Sequence, residues 1–446
     1  MSYEMIKTSL GDFIDFRNGK SSPDRTPEGE FDVFGSNGVI GQCEEKNASE
    51  FSLIIGRVGS YCGSVYQSKK ACWVTDNAII GALRNKDESN FWYFLLTRLD
   101  INAMSSGSGQ PLINQKILKN IQVRVPLSSS TRVDIGNYLS LFNEKIKVND
   151  DINQTLEQMA QALFKSWFVD FEPVKAKIAV LEAGGSSEDA TLAAMTAISG
   201  KDADALAVFE REHPEQYAKL KATAELFPSA MQDSELGEIP EEWSVASISD
   251  MGKITCGKTP SKKEPEYFGD DIPFIKIPDM HGQLFVLKTN EYLSAAGSNS
   301  QLKKLVPANS ICVSCIATIG VVSITNEPSH TNQQINSVTP HKSSFLYYIY
   351  FCMLGLKDYL HVLGSAGSAT LNVNTSTFSG IKIAQPDDKV LDLFHAKCTH
   401  LFNEIKSLSV QTESLAQLRD TLLPKLLSGE ITLPQAEQAV SEAENV

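Results

Sequence analysis

No stretch of this chain is long and apolar enough to read as a membrane span. The longest apolar run covers residues 345–356, whereas a bilayer crossing needs about 20 residues. The opening MSYEMIKTSLGDF contains no apolar leader. The expectation is a cytoplasmic protein, without membrane attachment. Its eight cysteines, irregularly spaced, then point to reduced thiols rather than disulfides. Cys312 and Cys315 form a lone C-x-x-C, and a zinc ribbon needs four ligands. They read instead as part of the apolar segment ICVSCIATIG. Catalytic constellations are missing as well. There is no G-x-x-x-x-G-K-[ST] phosphate loop and no N/D-P-P-[FYW] motif, and the seven histidines form no H-E-x-x-H. Asp270 and Asp271 beside nearby lysines superficially suggest a nuclease metal site. Such a site needs spaced carboxylates on adjacent strands, and FGDD reads as a turn. No metal or cofactor is expected on this chain.

An excess of positive charge is also lacking. The net charge of −14 argues at first against a nucleic-acid partner, but its distribution matters more. Residues 1–130 carry 14 basic and 14 acidic side chains, and residues 241–385 carry 11 of each. Segments 131–170, 171–240 and 386–446 hold net −2, −7 and −5. The acidity therefore lies in connecting segments, and the two large balanced segments can each carry a basic face.

What is present is an internal repeat. SLGDFIDFRNGKSSP at 9–23 resembles SISDMGKITCGKTPS at 247–261, pairing Asp12 with Asp250, Gly19 with Gly257 and Lys20 with Lys258. LIIGRVGSYCGSV at 53–65 resembles ICVSCIATIGVVS at 311–323, and TDNAI at 75–79 resembles TNQQI at 331–335. GSGQPLINQKILKNIQVRVP at 107–126 aligns without a gap on GSATLNVNTSTFSGIKIAQP at 367–386, and LFNE recurs at 141–144 and 401–404. Shared turn chemistry alone would not keep five blocks in order with offsets drifting only from 238 to 260. Apolar runs of strand length lie at 51–55, 78–83, 121–125, 274–277, 310–313 and 380–384, with short helices expected at 91–99 and 345–360.

After Pro126 the period changes. Phe142, Ile146, Asn149, Asn153, Leu156, Ala160 and Leu163 follow a heptad seam, as do Ile405, Leu408, Thr412, Leu415, Arg419, Leu422 and Leu426. The first seam is polar at its centre. Pro173 is expected to end the first helix and Gly429 to stop the second. Two such helices, antiparallel, would cover each other's apolar stripes. About 23 residues of helix would hold the repeats roughly 35 Å apart, close to one turn of B-DNA at about 34–36 Å. The Ala-rich, acidic stretch between them reads as short surface helices and a flexible connector.

With the repeat and helices in place, the chain resembles the specificity subunit of type I restriction–modification enzymes over essentially its full length. The resemblance rests on FDVFGSNGVIG at 31–41, IGRVGS at 55–60, LFKSWFVDFEPV at 163–174, DSELGEIPEEW at 233–243, the block GKTPS…EYFGDDIPFIKIPDM at 257–280 and LRDTLLPKLLSGEI at 418–431. It implies an α+β fold: two mixed α/β target-recognition domains separated by two long antiparallel helices forming a coiled-coil spacer. The expected boundaries are domain 1 at 1–130, spacer helix 1 at 131–171, connector at 172–242, domain 2 at 243–386, spacer helix 2 at 387–428 and a flexible tail at 429–446. It implies a non-catalytic subunit whose domains each read one half of a split site in double-stranded DNA. The helices would set the spacing and dock two methyltransferase subunits, with a restriction/translocase subunit joining through them. S-adenosylmethionine, ATP and Mg2+ would belong to those partners. The insert near 180–225 is longer than a minimal connector of the family needs.

Candidate DNA contacts follow from side-chain chemistry: Arg to guanine, Asn or Gln to adenine, Lys and turn groups to phosphate. Arg17 and Lys20, with Lys258 and Thr259 in the second copy, form either a phosphate or base-edge loop or a solvated turn. Arg57 is either at the DNA face or paired in the core, and the second copy has Ser314 or Cys315 there. Asn77 and the run Asn332, Gln333 and Gln334 are adenine readers or strand-end caps. Lys116, Asn372, Lys262, Lys263 and Lys276 complete the set, with Gln110 and Thr370 as the variable positions of the Gly-bounded loops. Asn114 and Asn374, identical in both copies, read as turn geometry, and Trp167 and Phe168 as packing. The competing reading is a structural adaptor that binds no DNA and carries two protein-interaction domains on a coiled coil.

Overall fold

The computed structural model describes residues 3–105, 111–365 and 371–444. The chain divides into two compact units, one of residues 1–151 with 411–446, the other of 152–410.

In the first unit Met5–Ser9 pairs antiparallel with Gln122–Pro126. Ser9 and Asp12 form a capping box on the turn that follows. A sheet then runs in the order Ile14–Asn18, Ala78–Leu83, Ser52–Gly56, Val65–Ser68. Its central strands are almost wholly apolar because both faces are covered. Leu53 and Ile55 pack with Trp92 and Leu96 of helix Ser89–Arg98. Ile54 and Ile80 pack on the other side with Phe34 and Val74. Phe34 belongs to a smaller sheet in which Phe31–Gly35 lies antiparallel to Gly38–Cys43 and parallel to Trp73–Val74.

The second unit repeats this plan. Ser244–Ser247 pairs with Lys382–Gln385, and Ser247 and Asp250 form the matching capping box. Gly252–Cys256, Ile335–Pro340, Ile311–Ser314 and Val322–Thr325 follow in the same sheet order. Ile272–Ile275 lies parallel to His330–Thr331, as Phe31–Gly35 lies parallel to Trp73–Val74. The inferred duplication is therefore a duplication of topology. One pairing shifts: Gly19 and Gly257 donate to the carbonyls of Ala78 and Ile335, so residues 75–78 match 332–335, one position from the alignment by composition. The expected strand at 274–277 ends at Ile275, and Ile277–Met280 is a helical turn. The helix expected at 345–360 is two helices, Leu346–Gly355 and Lys357–Ser365.

Two long helices, Ser129–Phe168 and Asp388–Ser428, contribute to both units, and they pack antiparallel in each. In the first unit Asn143 and Asn149 meet Arg419 and Gln411. In the second, Asn153 meets Ser409 and Phe164 packs beside Phe394. Pro173 does not end the first helix. That helix stops at Phe168, Phe171 takes a left-handed conformation (φ 54°), and Pro173 stands in the first turn of Glu172–Glu182. Proline suits that place because its missing N–H would be unpaired there anyway. Gly429, at φ 73°, does terminate the second helix.

The stretch 172–242 is more ordered than a flexible connector. Helices Glu172–Glu182, Ser187–Ser199, Ala203–Glu212 and Pro214–Glu225 enclose a small core of Ala194, Met195, Leu206 and Ala224. Buried Lys177 donates to the Phe227 carbonyl and ties the two ends of this insert together. The supposed flexible tail also folds. Helix Leu433–Glu444 buries Ala436 in the core of the first unit, and the Leu433 N–H donates to the Tyr3 hydroxyl at 2.7 Å.

Candidate nucleic-acid interface

At one end of each main sheet, backbone hydrogen bonds gather four chain segments. In the first unit the Lys20 N–H donates to Val74 O (3.0 Å), Gly19 N–H to Ala78 O (3.0 Å), Arg57 N–H to Asn77 O (2.9 Å) and Ile113 N–H to Arg57 O (3.0 Å). In the second unit Lys258 donates to Thr331 O (2.9 Å), Gly257 to Ile335 O (3.1 Å), Cys315 to Gln334 O (2.8 Å) and Val373 to Cys315 O (2.9 Å). Four bonds correspond one to one. The glycines are required by contact: a Cβ on Gly19 would sit 2.0 Å from Thr75 O, and one on Gly257 would sit 2.1 Å from Asn332 O.

This frame carries different side chains in the two units. Lys20 and Lys258, both exposed, occupy the same position. Arg57, half-buried, donates to Asp76 O at 3.2 Å, while its counterpart Cys315 is buried. Exposed Asn77 corresponds to half-buried Gln334, and exposed Asp76 to exposed Gln333. Thr259 donates to the Gln333 side chain at 2.7 Å and fixes one face of that amide. Asn372, exposed, bridges to Ile316 beside the same cluster. The loop Gly59–Tyr61, directly after Arg57, adds Tyr61, an exposed aromatic that pattern reading passed over although GSYCG is a glycine-bounded turn.

Some candidates fall elsewhere. Asn332 is buried; its amide accepts from the Gln334 N–H and donates to the Gln334 side chain, so it is a cap and not an outward reader. Lys276 is ion-paired with Glu291 and lies over the Phe274 ring, which uses up its charge locally. Arg17 is exposed on strand Ile14–Asn18 and donates to the Asn47 carbonyl. Lys116 is exposed on the helix Gln115–Asn120. Lys262 and Lys263 are exposed, and Lys262 lines a surface cavity of about 530 Å³ with Phe268, Asn290 and Tyr292. Gln110 and Thr370 lie outside the described residues. Asn114 and Asn374 are N-caps, accepting from Ile117 N–H (3.0 Å) and Thr377 N–H (2.9 Å).

The remaining polar candidates have structural roles. Asp271 accepts from Ala295 N–H at 3.0 Å in a turn. Cys312 and Cys315 are buried, and burial pushes both thiols up to about 11. Trp167 and Phe168 pack with Phe394, Phe227 and Trp243.

Residues 4–158 and 240–390 each match the type I restriction modification DNA specificity domain, one match per repeat and well over half the chain. The chain belongs to this family. It is similar to the type I restriction enzyme HindI specificity subunit of Haemophilus influenzae, at 47% identity over 328 residues, 72% of this chain and 71% of that protein. The MjaIX specificity subunit of Methanocaldococcus jannaschii is 27% identical over 192 residues, 42% of this chain and 44% of that one. The crystal structure of the type I restriction–modification S subunit from M. genitalium shares the fold, with a TM-score of 0.57 at 15% identity, covering 95% of this chain and 96% of that one. This is therefore a type I specificity subunit with two target-recognition domains. No helix among the described residues is long and apolar enough to cross a membrane.

Proposed function

We propose that each recognition domain reads one half of a bipartite, asymmetric site in double-stranded DNA, and that this chain catalyses no step itself. The observation that carries this reading is one backbone frame bearing two side-chain sets. A shared lysine, Lys20 or Lys258, suits the phosphates common to every sequence. Unlike residues around it, Arg57 with Asn77 against Cys315 with Gln334, suit different base edges. Arg57 and Asn77 favour guanine and adenine contacts, and Gln333 and Gln334 favour adenine. Asn372 and Lys116 flank the frames, and Lys262 and Lys263 contact the backbone.

The long helices set the separation of the half-sites and dock two methyltransferase subunits, through which a restriction/translocase subunit joins. An exposed apolar stripe supports docking. Leu141, Val148, Ile152 and Met159 on Ser129–Phe168 are 40–60% exposed, at spacings that place them on one side of the helix. S-adenosylmethionine, ATP and Mg2+ would be bound by those partners.

Selection from a random duplex library by the chain assembled with its methyltransferase tests the reading. Two short defined blocks separated by a fixed number of unspecified positions are expected. Retention without sequence preference would contradict it and favour an adaptor that binds proteins alone.

A further inference from the structure

Behind the Gly257–Thr259 turn of the second unit stands a buried hydrogen-bond chain that has no counterpart among the described residues of the first unit. The Lys258 carbonyl accepts from Gln301 Nε2 at 2.9 Å, while the Lys258 N–H donates to Thr331 O. The other proton of that amide nitrogen lies toward His330 Nδ1, 3.5 Å away. His330 Nε2 is 2.9 Å from Ser298 Oγ. His330, Ser298 and Gln301 are 0%, 4% and 6% exposed. Gln301 Oε1 is buried and has no hydrogen-bond partner among the described residues. In the first unit the Lys20 N–H makes the matching bond to Val74 O, but the segment that would hold a Gln301 is not there. Eight residues join Gly38–Cys43 to Ser52–Gly56, against seventeen between Tyr292–Leu293 and Ile311–Ser314.

The geometry favours one tautomer. A carboxamide N–H faces Nδ1, so Nδ1 must be the bare acceptor and the ring proton sits on Nε2, toward Ser298. A second proton on Nδ1 would set N–H against N–H. Relief comes if Gln301 turns its carboxamide over and offers the unpartnered Oε1 to the new Nδ1–H. That turn removes Nε2 from the Lys258 carbonyl. The second proton and the Lys258 bond therefore oppose each other.

We propose that Ser298, Gln301 and His330 are positioning residues for the second domain's reading turn, and that they make recognition of its half-site, but not of the other, sensitive to protonation. This rests on the reading that the Gly257–Thr259 turn touches DNA. The helix Ala295–Asn299 and the strand Ile272–Ile275, both packed on this imidazole, contain no ionisable residue. The turn brings Lys258 through its carbonyl, with the ammonium end of an exposed residue. Burial alone lowers the imidazole from its ordinary 6.5. The held arrangement thus binds fewer protons than the released one. It is complete above about pH 6.5 and is progressively lost as pH falls below that value.

The test uses the full chain in complex with its methyltransferase, with DNA libraries randomised in one half-site at a time, at about pH 8 and about pH 6. Amide exchange in the 256–262 segment is followed in parallel. Between the two pH values the native complex should lose discrimination at one half-site by up to about fourfold more than at the other, with faster exchange in the turn. Gln301→Met, which lacks the donor, should show that loss and that exchange already at pH 8. His330→Asn keeps an acceptor toward Gln301 and cannot titrate, so its discrimination should hold at both pH values. Unchanged exchange and discrimination in Gln301→Met, or an undiminished pH effect in His330→Asn, would overturn the proposal. Faster exchange with neither half-site affected would instead sink the assignment of this turn to DNA while leaving the hydrogen-bond chain intact.

Discussion

Glu88 and Arg132 form a buried ion pair in the first unit, with side chains 3% and 5% exposed. The guanidinium donates to both carboxylate oxygens at 2.8 Å, and also to the carbonyls of Pro126 and Leu127. Trp92 and Ser129 fill the remaining acceptor sites on Glu88. The second unit puts buried Phe345 at the matching place, the end of the turn Ser343–Phe345. Either solution fills the volume, but a half-solution leaves a bare charge in the core. Arg132→Met should therefore cost about 3–5 kcal/mol, and adding Glu88→Phe should recover most of it; denaturant titration of both variants measures this. Burial pushes the Glu88 carboxyl up, but the bonds from Arg132, Ser129 and Trp92 outweigh it and hold it below the ordinary 4.5. The pair's contribution is complete above that value and is lost as pH falls through the lowered one. Sequence could not reveal this pair, whose partners lie 44 residues apart. The structural role of Asn114 and Asn374 is legible as turn geometry because both copies keep them, and the structure makes each an N-cap. For the run Asn332, Gln333 and Gln334 the sequence leaves reader and strand-end cap open, and only strand pairing decides that Asn332 is the cap while Gln333 stays exposed.

Among the elements, the long helices were the most legible, since heptad spacing is written along the chain. Their caps were less so, because a proline can close one helix or open the next. The short helices of the insert are legible in its Ala-rich sequence, but their shared core and the terminal helix are not, because small cores of alanine and methionine give little periodic contrast. The polar centre of the seam has a physical consequence. Asn149 is fully buried; its Nδ2 donates to Gln411 at 2.8 Å, while its Oδ1 has no partner among the described residues. An unpaired buried oxygen costs stability, and polar seam residues commonly fix register instead. Asn149→Leu should raise stability by about 1 kcal/mol, visible as a higher melting temperature. A fall of that size would mean the Asn149–Gln411 bond outweighs the stranded oxygen.

On the scale of the whole molecule, the acidic total misleads and the order of repeated blocks informs. Net charge sums over connector and tail, whereas the two recognition domains are each balanced. Ordered offsets survive because insertions concentrate in loops, such as the segment carrying Ser298 and Gln301, while the backbone frame of the reading turns stays fixed. Similarity between the repeats therefore reports the scaffold, and under the proposed function their differences report what is read. The bases themselves are not legible, because the same frame accepts many side chains. The most direct measurement is a domain exchange. Residues 1–130 are replaced by the corresponding domain of another type I specificity subunit, and the methylated sequences produced by the assembled complex are profiled. One half of the bipartite site should change to the donor's, with the other half and the spacing kept. A profile that stays the same, or that changes in both halves together, would contradict the division of reading between two domains.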